Sequence, residues 1–255
     1  MVQTVLPPIK PADPPRDVQL KALAERYRSA RGLGLKLISA MGGQAEGLLD
    51  KLPDPVLRGL DSATMRALEA SFAAAARSRD GLPDTGHWLT RAITAGTGAM
   101  GGFGGMPTAL AELPLTTTVI LRAIQGIAAE NGFDPAHDDT KLDCLQVFAA
   151  AGPMEEDDGV DLSFLTLRLT VTGVSAQALL KSVAPKLATV LGQKLAAQTV
   201  PVLGAVTGAA INYTFTSYYQ DMAHVQFGLR RLAEQTGEDR AQLVEDFRTE
   251  VERKT

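Results

Sequence analysis

Five polar residues interrupt otherwise apolar stretches of this chain: Glu112, Arg122, Asn212, Asp221 and His224. A charge or amide withdrawn from water is unfavourable unless paired, so such groups either hold neighbouring helices in register or line a pocket for a polar head group. Glu112 closes an uncharged run of 20 residues that follows Arg91. Arg122 stands ten residues further on, at 10 × 100°, which is 80° short of three turns and near the same helical face. Each can reach a different neighbouring helix. Together the five are the expected ligand-binding site, a polar pocket.

Other constellations are weaker. Gly96-Thr-Gly98-Ala-Met-Gly101 has the spacing of a pyrophosphate cradle, but His87 to Thr94 before it reads as helix rather than strand, so the glycines are read as packing positions. Cys144 stands among Leu142, Leu145 and Val147 and reads as a buried thiol, not a nucleophile with His137 or His224 as base. Ser175, in Gly-Val-Ser-Ala-Gln, lacks the second glycine of a nucleophile elbow. The histidines His87, His137 and His224 have no zinc-ligand spacing, and Glu155 to Asp161 lacks the alternation of a calcium loop and reads as a solvated acidic segment. The expectation is no catalytic residue, no metal and no cofactor.

Elements that must position the polar residues follow from composition. Of the 255 residues 45% are hydrophobic and only 5% aromatic, so the core is built from Ala, Leu, Val and Gly, which suits closely approaching helices better than sheets. Two uncharged runs, residues 92–111 and 195–220, are long enough to cross a bilayer, yet carry Gly, Pro, Thr, Asn, Gln or Tyr where a span carries Leu, Ile and Phe. They read as helices packed backbone to backbone. One cysteine excludes an internal disulfide, and the first residues lack the apolar stretch of a secretory signal, so the expected compartment is the cytoplasm. Net charge is −4, but residues 1–40 carry a net +4, while ten acids face Lys141 alone between Glu130 and Asp161. That distribution argues against a nucleic-acid partner.

Five prolines make residues 1–15 a flexible leader, and residues 16–255 are expected to form a single helical domain. A first helix starts near Asp17 and is loosened at Gly32 and Gly34; Asp54-Pro55 caps a second that runs to about Ser78. Asp84 caps another, and a helix from Met106-Pro107 runs to Glu130, where Asn131-Gly132 is a left-handed stop. Leu142 to Phe148 lie on a further helix after Asp134-Pro135. Residues 161–181 read as a helix that breaks before Pro185. After Pro201, Gly204 and Gly208 stand four apart on one face of a long helix ending at Gly237. Leu243, Phe247 and Val251 mark a last amphipathic helix. The expected fold is all-α, a single-domain bundle of seven to nine helices with Gly/Ala-rich helices at its centre.

Gly101 to Pro135 and Val200 to Phe227 carry, in order, a Gly-rich segment, the acid-Leu-Pro step Glu112-Leu113-Pro114, a helix ending in Asn-Gly, and Pro-x-x-Gly-x-x-x-Gly-x-x-x-Asn at Pro201, Gly204, Gly208 and Asn212. This resembles the EcsC family over roughly residues 80–235. The resemblance implies a bacterial helical protein with a link to envelope transport, and assigns no reaction and no catalytic residue. Three functions are expectations: a non-enzymatic module binding membrane lipid or an amphipathic, envelope-associated partner, peripheral at the inner face of the cell membrane; a hydrolase of a lipid-like or peptide substrate using Glu112, Asp221 or His224; and a soluble scaffold or homo-oligomer using the last helix as its partner surface.

Overall fold

The structure is a computed structural model that describes residues 13–40, 49–79, 114–150, 152–153, 162–166, 176–199 and 205–253. Among these residues every regular element is helical: α1 (Arg16–Ala40), a 3-10 turn (Leu49–Lys51), α2 (Asp54–Arg79), α3 (114–130), α4 (Asp138–Val147), the single turn α5 (Ser163–Thr166), α6 (Ala176–Thr199), α7 (Ala205–Thr236) and α8 (Arg240–Glu252). The chain is an all-α bundle, as its composition requires.

Helix α7 is the axis of the bundle. Its 32 residues extend about 48 Å at 1.5 Å per residue. Phe215, Tyr219, Met222, Val225, Phe227 and Leu229 are buried on several of its faces, so neighbours surround it. Helices α1, α4, α6 and α8 all pack against it, α1 most extensively. The α1 pairing is antiparallel: Asp13 meets Arg231 near one end and Arg26 meets Asp221 further along.

Helix α8 folds back over α1. Asp239 caps its start, Oδ1 accepting from the backbone N–H groups of Ala241 at 2.9 Å and Gln242 at 3.1 Å. At its other end Arg28 Nη1 donates to the carbonyls of Glu250 at 2.9 Å and Val251 at 3.4 Å, satisfying last-turn acceptors with a cation. Phe247 meets Tyr27 edge to face, ring centroids 5.9 Å apart. Leu243, Phe247 and Val251, the stripe expected to face a partner, are buried within the chain's own core.

Stops at Asn131-Gly132 and Gly237 are where the sequence places them, with left-handed φ of 91° and 70°. Two local expectations are corrected. Helix α1 runs unbroken through Gly32 and Gly34, and Gly34 is a packing position: a Cβ there would lie 1.8 Å from the Pro153 carbonyl oxygen. Helix α6 continues through Pro185, because that residue and Lys181 lie on the exposed side, where water can meet the freed carbonyl, while Val183, Ala184, Leu187 and Ala188 anchor both halves to the core. The helix expected over 161–181 is represented by α5 and the first turns of α6, residues 167–175 lying outside the described residues. Also outside them are the Gly96 to Gly105 segment, the helix expected from Asp84, Gly204 and residues 1–12, whereas Gly208 is buried in α7.

Candidate functional site

Residues 221, 224, 228, 231 and 235 recur at alternating spacings of three and four, so Asp221, His224, Gly228, Arg231 and Gln235 form one stripe on α7. This stripe faces α1. At Gly228 the absent side chain admits Leu23, whose Cδ2 would lie 2.6 Å from a Cβ, and the helices approach closely there. Beside that contact a groove of about 350 Å³ opens between α1, α7 and the end of α3, its floor made by Val18, Ala22, Leu23 and Gly228. Val18 is 55% exposed, an apolar residue open to water.

Cationic and amide groups stand around this floor. Arg26 Nη1 donates to Asp221 Oδ1 at 2.8 Å, and the Arg26 side chain keeps 43% of its surface exposed while that of Asp221 keeps 12%. A guanidinium has five N–H donors, so this carboxylate leaves Arg26 with further hydrogen-bonding capacity toward the groove. Arg231 Nη2 donates to Asp13 Oδ1 at 2.7 Å and Gln235 Nε2 to Asp13 Oδ2 at 2.8 Å. His224 and Asn131 complete the wall. From Asp221 to Arg231 is ten residues, about 15 Å along α7, so the two arginines stand toward opposite ends of the groove.

The five residues singled out by the sequence do not gather into one pocket among the described residues. Asp221 and His224 share the groove face. Asn212 is fully buried nine residues before Asp221, at 900°, and therefore on the opposite side of α7. Arg122 is half-buried on α3, and Glu112 lies outside the described residues. Cys144 is buried, as expected; His137 is exposed, Nδ1 3.9 Å from Asp139 Oδ2. No group of three metal-binding side chains occurs among the described residues.

Sequence reasoning passed over two other charged centres. Asp143, whose side chain is 0% exposed, accepts from Arg230 Nη1 at 2.7 Å, with Arg240 Nη1 3.9 Å from its other oxygen. Arg230 also lies over the Phe133 ring, 4.0 Å from its centroid, and the neighbouring Gln226 Nε2 donates to Gln146 Oε1 at 3.2 Å. This closed carboxylate joins α4, α7 and α8. The second centre is Arg16, which donates to Glu238 at 2.8 Å through Nη2 and to Asp246. The Arg16 guanidinium lowers the carboxyl pKa of both acids, and they in turn raise its own. Burial raises the Tyr218 phenol well above its ordinary value and keeps it neutral. A separate cleft of about 370 Å³ between α1 and α8 is lined by the Arg16 cluster and by Thr249, Glu250 and Arg253, with a more polar wall than the α1–α7 groove.

The signal for the groove was present as the spacing of Arg231 and Gln235 behind His224. Their partner Asp13 is more than two hundred residues away, a pairing that no local pattern indicates.

The chain matches the EcsC protein family over residues 63–232, a range that begins within α2 and covers nearly all of α7. No curated protein and no solved structure matches it. Helix α1, the other wall of the groove, lies outside the matched range.

Proposed function

The chain belongs to the EcsC protein family, and for this member we propose a non-enzymatic module that binds a membrane lipid or a similar anionic amphiphile in the groove between α1 and α7. The observation that carries the reading is the pairing, in that groove, of an apolar floor at Val18, Ala22 and Leu23 with the donors of Arg26, His224 and Arg231. Such a surface accepts a molecule that is apolar along most of its length and charged at one end. Basic residues on α1 favour approach to an anionic surface, and half-exposed Val18 offers an apolar contact once there. No helix among the described residues is long and apolar enough to cross a membrane, which agrees with binding at a surface. The proposed location is the inner face of the cell membrane, held peripherally.

The test is flotation of the purified protein with phosphatidylcholine vesicles, with and without phosphatidylglycerol, at low and high salt. The expected result is flotation that depends on phosphatidylglycerol and weakens as salt screens the arginines, with Val18→Asp reducing it further. Flotation at both salts indicates apolar insertion as the main contribution. A protein that carries no lipid and floats with neither vesicle ends the proposal.

A further inference from the structure

The donors at the Arg231 end of the groove already hold an anion, and it is supplied by the chain itself. Arg231 and Gln235 are one turn apart on α7 and each takes a different oxygen of the Asp13 carboxylate, at 2.7 and 2.8 Å. Two donors gripping two oxygens is equally the geometry that reads a phosphate, which offers the same pair of oxygens and a further acceptor.

Asp13 is weakly tethered. It precedes the first residue of α1, its side chain is 48% exposed and that of Arg231 is 35% exposed. An ion pair this open to water contributes little, so a competing anion can displace it. The residue behind it is fixed: Gln19 Nε2 donates to the Pro14 carbonyl at 2.7 Å, and the Pro15 carbonyl accepts from the N–H groups of Val18 and Gln19 at 3.0 and 3.1 Å. Asp13 can therefore swing away while the start of α1 stays in place. Directly behind the cradle lie Val18, Ala22 and Leu23, which have no use in holding a free inorganic anion and suit an anion that carries a hydrocarbon chain.

From these contacts, and resting on the groove as the lipid site, we infer that Asp13 is an internal surrogate for the ligand's headgroup. The phosphate of a lipid displaces the Asp13 carboxylate from Arg231 and Gln235, and the adjoining chain lies on the groove floor. The groove is thereby self-occupied at rest, and Asp13 sets the threshold for binding.

The experiment is a vesicle titration with phosphatidylglycerol in phosphatidylcholine, at low salt, for the full chain and four variants. Asp13→Asn keeps the shape and removes the competing charge, and its apparent affinity rises by about two- to five-fold, the range an exposed ion pair supplies. Asp17→Asn, an equal charge change at a side chain 89% exposed nearby, rises less. Arg231→Ala binds more weakly than the wild type, and adding Asp13→Asn to it restores nothing. Equal affinity for wild type and Asp13→Asn, or an equal gain in Asp17→Asn or in the Arg231→Ala background, overturns the surrogate while leaving the groove reading intact. Failure of every variant to bind vesicles overturns both. Saturable binding of inorganic phosphate alone to Asp13→Asn in calorimetry, as tight as binding to vesicles, overturns the assignment to a lipid.

Discussion

Replacing Asp143 by asparagine removes a negative charge from a site where no water can replace it. The carboxylate is fully enclosed, 2.7 Å from Arg230 Nη1 and 3.9 Å from Arg240 Nη1, and these contacts cross from α4 to α7 and α8. Deleting one partner of a buried pair costs about 3–5 kcal/mol, chiefly because the other charge is stranded. Here the loss is smaller: the amide oxygen still accepts from Arg230, and the two arginines keep 20% and 19% of their side chains in water. A destabilisation of about 2–3 kcal/mol follows. At about 2–4 °C per kcal/mol for a chain of this size, Tm falls by about 4–12 °C. Thermal unfolding followed by far-ultraviolet circular dichroism measures it, and Arg230→Gln supplies the second corner of a double-mutant cycle. The double variant should lose less than the sum of the two single losses, because each single substitution strands a partner that the double variant has also removed. If Asp143→Asn melts within about 1 °C of the wild type, the burial argument fails and the three helices are held together by apolar packing.

Two further outcomes follow from the same structure. Arg16 lowers the pKa of Glu238 and Asp246 below their ordinary 4.5 and 3.8, so the stability they contribute is complete above those values and is lost as pH falls through the lower folded ones; Arg16→Gln should melt earlier at neutral pH, and the gap from wild type should narrow in acid. Gly34→Ala should be destabilising by about 3 kcal/mol in urea unfolding, despite the better helix propensity of alanine, because its Cβ would lie 1.8 Å from a backbone oxygen that cannot rotate aside.

Gly34 and Pro185 show where sequence reading stopped. Propensity treats each as a weak point in a helix, whereas both helices are held by faces buried against other elements, and the close approach of Pro153 is a tertiary fact with no local trace. Gly132 and Gly237 were legible because a left-handed turn after a helix is decided locally. The candidate site divides in the same way. Asp221 and His224 stood out as polar residues in an apolar helix; Arg26 and Asp13 looked like ordinary surface charges until α1 was placed along α7. Asp143 entered the sequence reading only as one of ten acids between Glu130 and Asp161, yet it sits next to Cys144 and Leu145 and is as buried as they are.

The clasp between α1 and α8 also bears on how the chain acquires its fold. Arg16 reaches Glu238 and Asp246, and Arg28 reaches the last turn of α8, contacts that span more than two hundred residues. Neither helix lies within the range matched to the family. During synthesis α1 emerges well before α7 and α8, with its Leu20, Ala24 and Tyr27 face uncovered, and waits for them before that face is buried. Such non-local closure slows the final step and leaves an apolar helix exposed in the interim. A nascent chain arrested before α8 should therefore be protease-sensitive in α1, and extension of the chain past α8 should bring protection to α1 and α8 together.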